Sequence, residues 1–185
     1  MISRLIEQEI PYTGRELSSH WAFRSFDLLG DSIVAFAGPC DVGTDRMADL
    51  MDVKANAPIW SERMLHFIVE HFGCGLDTAI LRQRLLICII QETLSKRLDG
   101  KTIRRKGDDL YEGDAKLSVS IAVQSPVSCM IHVGLNVESR GTPVKTIGLN
   151  DLGVEPRALA RDVMAGYLDE LKGMAEARCK VRGVP

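Results

Sequence analysis

The sequence predicts an α+β fold, a mainly antiparallel sheet with two principal helices. Three observations carry that prediction. The segments MLHFIVEHF (64–72), KLSVSIAV (116–123) and VSCMIHVGLNVE (127–138) alternate apolar and polar residues with the period of two that a half-buried strand requires. Leu76, Ile80, Ile87, Ile90, Leu94 and Leu98 recur at near-helical spacing. A second helical stretch opens at Pro156, where proline suits a first turn, and continues to about Glu176.

Taken in chain order, Ile2 to Ile6 form a first strand and Tyr12-Thr13-Gly14 a turn. Ser18 to Leu28 read as a short helix capped by Ser18 or Ser19. Gly30-Asp31 breaks it, and SIVAF (32–36) is a buried strand that runs into Gly38-Pro39-Cys40-Asp41. Val42 to Ser61 is irregular. In 64–72, Leu65, Phe67 and Val69 share one face, and His66, Ile68 and Glu70 the other. The best helix covers 77–98, with Asp77 at its start and Gly100 after its end; its apolar block LLICII (85–90) requires burial on more than one side. KTIRRKG (101–107) is a basic connector.

With 185 residues, 45% of them hydrophobic and 26% charged, the chain reads as one domain over 1–185 with a packed core. A net charge of −2 gives no global attraction to nucleic acid or anionic lipid, so neither is an expected partner. LLICII is far too short to cross a bilayer, and MISRLIEQEIPYTG is too polar, and too soon broken by Pro11, for a signal peptide. Cysteines at 40, 74, 88, 129 and 179, an odd number without a CxxC, fit a reduced cytoplasmic setting.

The segment around Lys116 is the most informative for function. Leu117, Val119, Ile121 and Val123 share one face of their strand; Lys116, Ser118, Ser120 and Ala122 share the other. In the next strand Ser128, Met130, His132, Gly134 and Asn136 lie opposite the apolar set. If both apolar faces turn to the same side, a three-residue loop at 125–127 sets Ser120 against His132 and Lys116 against Asn136. The resulting face is small and polar with one cation. It is either a solvated sheet surface or a site in which the lysine meets a carboxylate or phosphate.

GDAKLSVSIA, a Ser-Pro turn and IHVGLNVE resemble, in order and spacing, the lysine strand and the following strand of biotin and lipoate protein ligases. Over nearly its full length the chain is also similar to domain-of-unknown-function family 366, through LLGDSIVAFAGPCDV, MLHFIVEHF and VGLNV. That family is grouped with those ligases and with class II aminoacyl-tRNA synthetases. The resemblance implies a ligase-like fold, a small-molecule ligand, Lys116 on the acyl carboxylate or adenylate phosphate, and Asn136 with Gly134 near an adenine. It allows ATP and Mg²⁺ as cofactors and leaves a homodimer open. The Gly-Arg-Gly-Arg loop of biotin ligases and the Arg-Arg-glycine motif of lipoate ligases are both missing; GPCDVG (38–43) is the nearest glycine-containing loop and has no arginine. Without such a loop an acyl-adenylate lacks shielding from water.

Other candidates complete the reading. Cys40, after a buried strand and beside Gly38, is placed where a nucleophile can sit, with His132 or His20 as a base. His66, Glu70, His71 and Cys74 cluster in sequence, but no zinc spacing fits, and no metal site is assigned. Asp108, Asp109, Glu112 and Asp114 form an acidic turn, of which Asp114 is the best placed to hold Mg²⁺. Arg15, Arg24 and Arg46 are unranked phosphate contacts. The expected function is a ligase- or acyltransferase-like enzyme handling an acyl or nucleotide ligand through Lys116, His132 and Cys40, with Ser118, Ser120, Gly134, Asn136 and Gly38 around it. The alternatives are a non-catalytic binding module that has lost the adenylate loop, and a metal-dependent hydrolase built on His66 to Cys74.

Overall fold

Two sheets and four helices make up the computed structural model, which describes residues 1–98, 100–138, 140 and 144–184. The main sheet contains β1 (Ile2–Leu5), β2 (Ser32–Val42), β3 (Ile59–Phe72), β8 (Ser128–Glu138) and β7 (Ser118–Gln124), in the order β1-β2-β3-β8-β7. Only β1 runs parallel to its neighbour; the other pairs are antiparallel. A small sheet of β4 (Ile103–Lys106), β5 (Asp109–Glu112) and β6 (Ala115–Lys116) stands beside β7. The helices are α1 (Trp21–Phe26), α2 (Leu50–Ala55), α3 (Leu76–Ser95) and α4 (Pro156–Lys180). No helix among the described residues is long and apolar enough to cross a membrane.

Each face of the main sheet carries its own core. Leu65, Phe67 and Val69 of β3 join Ile131, Val133 and Leu135 of β8 beneath Leu86, Ile90, Val163 and Tyr167 of α3 and α4. The opposite face buries Phe36, Met64, Ile68 and Met130 beneath Tyr12, Trp21 and Leu28 of the N-terminal segment. The alternation of 64–72 therefore sorts its residues as expected. So does α3, whose apolar block is covered by the sheet on one side and α4 on another. α4 begins at the expected Pro156, under a Glu155 carboxylate that accepts from the amides of Arg157 and Ala158.

Several local expectations are corrected. β2 does not end at Phe36 but continues to Val42, absorbing Pro39 in a bulge between Gly38 and Cys40. Its edge there is covered by the N-terminal segment, through Ile10 N to Ala37 O and Tyr12 N to Pro39 O. Gly38 is obligatory because a Cβ would lie 2.0 Å from the Ile10 carbonyl oxygen. α1 starts at Trp21 after a left-handed His20, with no serine cap; the His20 amide instead donates to the buried Glu70 carboxylate at 2.7 Å. The irregular segment contains α2, capped by Asp49. The basic connector is strand β4, paired with β5.

The β7–β8 register differs from the sequence-based expectation by one residue. Gln124 pairs with Cys129, so the loop has four residues, 125–128, instead of three. Ser125 builds it: its amide donates to Ser128 O, and its hydroxyl accepts the Ser128 amide at 2.9 Å. One extra loop residue exchanges the faces of β7. Ile121 opposes His132 and Val119 opposes Gly134, while Ser118 and Ser120 sit on the side of α3 and the small sheet.

Candidate functional site

A cavity of about 400 Å³ lies over the N-terminal-segment face of β3, β8 and β7, bounded by α2 and the 57–61 segment on one side and by the small sheet on the other. Its walls are apolar where Val42, Ile59, Met64, Val119 and Ile121 contribute. Lys116, at the end of β6, supplies a cation at the polar end and is paired with Asp109 at 2.9 Å. Gly134 does not line the cavity itself but lets Met64 and Val119, which do, pack close over it: a Cβ there would stand 2.9 Å from Met64 Cε and 3.2 Å from Val119 Cγ2.

The floor is aromatic. Tyr12 stacks on His132, with ring centroids 3.8 Å apart and 14° between planes, and both border the cavity. Beneath them His66 Nδ1 lies 3.1 Å from His132 Nε2, and His66 Nε2 lies 3.2 Å from the Gly38 carbonyl. Chemistry fixes the tautomers. A carbonyl only accepts, so His66 carries its hydrogen on Nε2 and offers Nδ1 as an acceptor. His132 must then donate from Nε2, which leaves its Nδ1 bare. Burial holds His66 neutral, lowering it to about 4. Burial, and secondarily the His66 neighbour, lowers His132 well below the ordinary histidine value. Tyr12 is raised by burial and stays a phenol.

The residues expected at the site separate into groups. Lys116, His132, Asn136, Ser118 and Ser120 all border the cavity. Ser118 and Ser120 reach it only at the edge of β7, with their hydroxyls already engaged: Ser118 accepts the Leu110 amide at 2.8 Å, and Ser120 accepts from Gln83 at 2.7 Å and donates to Asp108 at 3.1 Å. Asn136 braces the polar end, accepting from Ser61 Oγ at 3.3 Å and donating to Lys116 O at 3.3 Å. Gly38 contributes its carbonyl to His66 and does not line the cavity. Cys40 is fully buried outside it, and desolvation pushes its thiol up to about 12, far from thiolate chemistry.

Of the acidic turn, Asp108 and Asp109 border the cavity, whereas Asp114 is exposed. Arg46 alone of the three unranked arginines lines it, next to Asp45 at 3.3 Å. Arg24 is held by Ser18 at 2.7 Å and by the Ser19 carbonyl. The His66 to Cys74 cluster does not converge. His66 faces His132, whereas His71 donates from Nδ1 to Asp31 at 3.0 Å and accepts at Nε2 from Tyr167 Oη at 2.9 Å. Among the described residues no group of three or more His, Cys, Asp or Glu is spaced for a metal ion. The hydrolase alternative thus lacks a converging ligand set among the described residues. The floor partners Tyr12 and His66 were not anticipated. Alternation placed His66 and His132 on polar faces, but only the β3–β8 pairing, in which Ile68 opposes His132, brings them together.

The profile of domain-of-unknown-function family 366 matches residues 1–182. The chain belongs to that family. An uncharacterised protein of Methanocaldococcus jannaschii is 43% identical over 173 residues, which is 90% of this chain and 77% of that protein. A solved protein of unknown function from Pyrococcus horikoshi superposes with a TM-score of 0.93 at 38% identity, covering 100% of this chain and 99% of the other. Biotin protein ligase from Aquifex aeolicus superposes with a TM-score of 0.63 at 16% identity, over 95% of this chain and 72% of the ligase. A putative lipoate protein ligase from T. acidophilum with bound lipoic acid gives 0.59 at 17%, over 93% and 86%. The family member thus has the biotin/lipoate ligase-like fold that the lysine hairpin suggested.

Proposed function

We propose that the cavity binds a small molecule that combines an apolar body with one carboxylate, and that Lys116 holds the carboxylate. The observation that carries this reading is the placement of Lys116 at one end of an aromatic-floored cavity of about 400 Å³ whose walls include Val42, Ile59, Met64, Val119 and Ile121, a volume in the range of small-ligand pockets. The incoming carboxylate shares or displaces the Asp109 partner of the lysine ammonium. Fold neighbours include structures with bound biotin and with bound lipoic acid, both carboxylic acids on a hydrocarbon chain, which makes these two compounds sensible probes.

The same lining does not fit a nucleotide triphosphate. Arg46 and Lys116 are set against Asp49, Asp52, Asp108 and Asp109, so the border carries two cations and four carboxylates. Both cations are already paired, with Asp45 and Asp109. A single carboxylate needs one cation; a triphosphate needs several donors at once. No step through ATP is therefore assigned.

A thermal-shift screen tests the reading with biotin, lipoic acid, decanoic acid and ATP. A hundredfold excess over Kd stabilises the folded state by about 2.7 kcal/mol, a Tm rise of roughly 5–10 °C for a chain of this size. At least one carboxylic acid should give such a rise, and Lys116→Ala should remove it. No shift with any acid, or the same shift in the variant, refutes the proposal.

A further inference from the structure

The histidine pair beneath the cavity constrains what the far end of a ligand must carry. The Gly38 carbonyl accepts from His66 Nε2, His66 Nδ1 accepts from His132 Nε2, and the chain of donors ends with a bare His132 Nδ1. No group among the described residues hydrogen-bonds that nitrogen. His132 is 3% exposed, and the cavity is what it borders. Among the described residues the fully buried side-chain atoms without a partner are Ser32 Oγ and Arg82 Nε and Nη1, so His132 Nδ1 keeps some surface open to the cavity, and a ligand that seals it without a donor leaves its lone pair unmatched. Tyr12 lies flat on the ring at 3.8 Å, so its hydroxyl is not in the plane of the lone pair.

We infer that the floor of the cavity is an acceptor site and that the ligand is a carboxylic acid carrying an N–H or O–H donor at its distal end, received by His132 Nδ1. This rests on the cavity reading above and specifies it. The spacing follows from the strand. Asn136 donates to the Lys116 carbonyl, so Lys116 marks the Asn136 end of the cavity. His132 lies four residues back along β8, which at a rise of ~3.3 Å per residue sets the two backbones about 13 Å apart, while the lysine ammonium sits out at Asp109 on its own side chain. Met64, Val119 and Ile121 line the cavity with apolar atoms. Extended chains of up to about ten carbons fit within that backbone separation. A ligand ending in a methyl or a thioether leaves the lone pair unmatched and is disfavoured. A second acceptor at that end meets the His132 lone pair with its own and is disfavoured more strongly.

Two matched probes decide it. 10-Hydroxydecanoic acid and decanoic acid share the carboxylate and the chain length and differ in the terminal hydroxyl. Isothermal titration should show the hydroxy acid binding about tenfold more tightly, the effect of one added hydrogen bond. The preference should vanish in His132→Phe. If both acids bind equally to the natural protein, the inference fails and the carboxylate reading survives. If neither binds, both fail. Because His132→Phe can perturb folding, ¹⁵N NMR of the natural protein gives an independent measurement. It should find His132 protonated on Nε2 and bare on Nδ1, with Nδ1 shifting when the hydroxy acid is added. A hydrogen on Nδ1 of the ligand-free protein overturns the inference.

Discussion

Acidification should weaken the fold through His66. Its imidazole is fully buried and hydrogen-bonded on both nitrogens, and burial lowers it from an ordinary 6.5 to about 4. A histidine with a depressed folded value binds its proton in the unfolded chain first. Its contribution is therefore intact above about pH 6.5 and is lost progressively as pH falls toward 4. At about 1.36 kcal/mol for each pH unit in that window, the loss comes to roughly 3 kcal/mol, a large share of the stability of an ordinary domain. His132 acts in the same direction, since it too is held neutral by burial. The assay is urea unfolding at half-unit steps from pH 7.5 to 4.5, on the natural protein and on His66→Gln. Subtracting the two profiles removes groups that titrate in both. The difference should slope by about 1.4 kcal/mol per pH unit below 6.5. Parallel profiles, or an NMR titration of His66 centred near 6.5, would refute the assignment.

Three further outcomes follow from the packing. Gly38→Ala puts a methyl 2.0 Å from the Ile10 carbonyl oxygen, so the covering segment must move; a loss of about 3 kcal/mol or failure to fold is expected, read by thermal unfolding. Ser120→Ala removes the hydroxyl that joins Gln83 of α3 to Asp108; it should cost about 1–2 kcal/mol in urea unfolding and leave carboxylic-acid affinity within about twofold. Tyr167→Phe takes away the hydroxyl that His71 Nε2 accepts; a loss of about 1 kcal/mol is expected, and a neutral result would mean that this buried contact is not made in solution.

Much of the scaffold was legible because long periodic segments bury whole faces. The apolar stripe of α3, the Pro156 start of α4 and the two faces of β3 follow from spacing alone. What escaped was decided by single residues or by distant partners. Alternation permits either parity for the β7–β8 hairpin; the Ser125 side chain chooses a four-residue loop and so sends the serines of β7 to the helix side. Pro39 looked like a strand end, yet a bulge and a covering segment accommodate it. The arginine-rich β4 has no apolar alternation to reveal it, since only Ile103 is buried. At the site, Lys116 was visible as a cation where an acidic turn becomes a strand, but its Asp109 partner was not. The histidine pair was invisible for a different reason: each residue was placed on a plausible face, while their meeting depends on which strands are neighbours.

The floor draws its parts from far along the chain: Tyr12 from the N-terminal segment, His66 from β3, and His132 from β8. During synthesis Tyr12 leaves the ribosome first but has no His132 ring to lie on until most of the molecule has emerged. Closing such distant contacts is entropically slow, and they form late. Until then β2 and β3 can pair, with Phe36 already beside His66, while the place above remains vacant. The nascent protein can thus pair β1, β2 and β3 before it acquires a ligand site, which needs β8 and β7. Arrest of translation before β8 should yield a chain with protected β2–β3 amides and no capacity to bind.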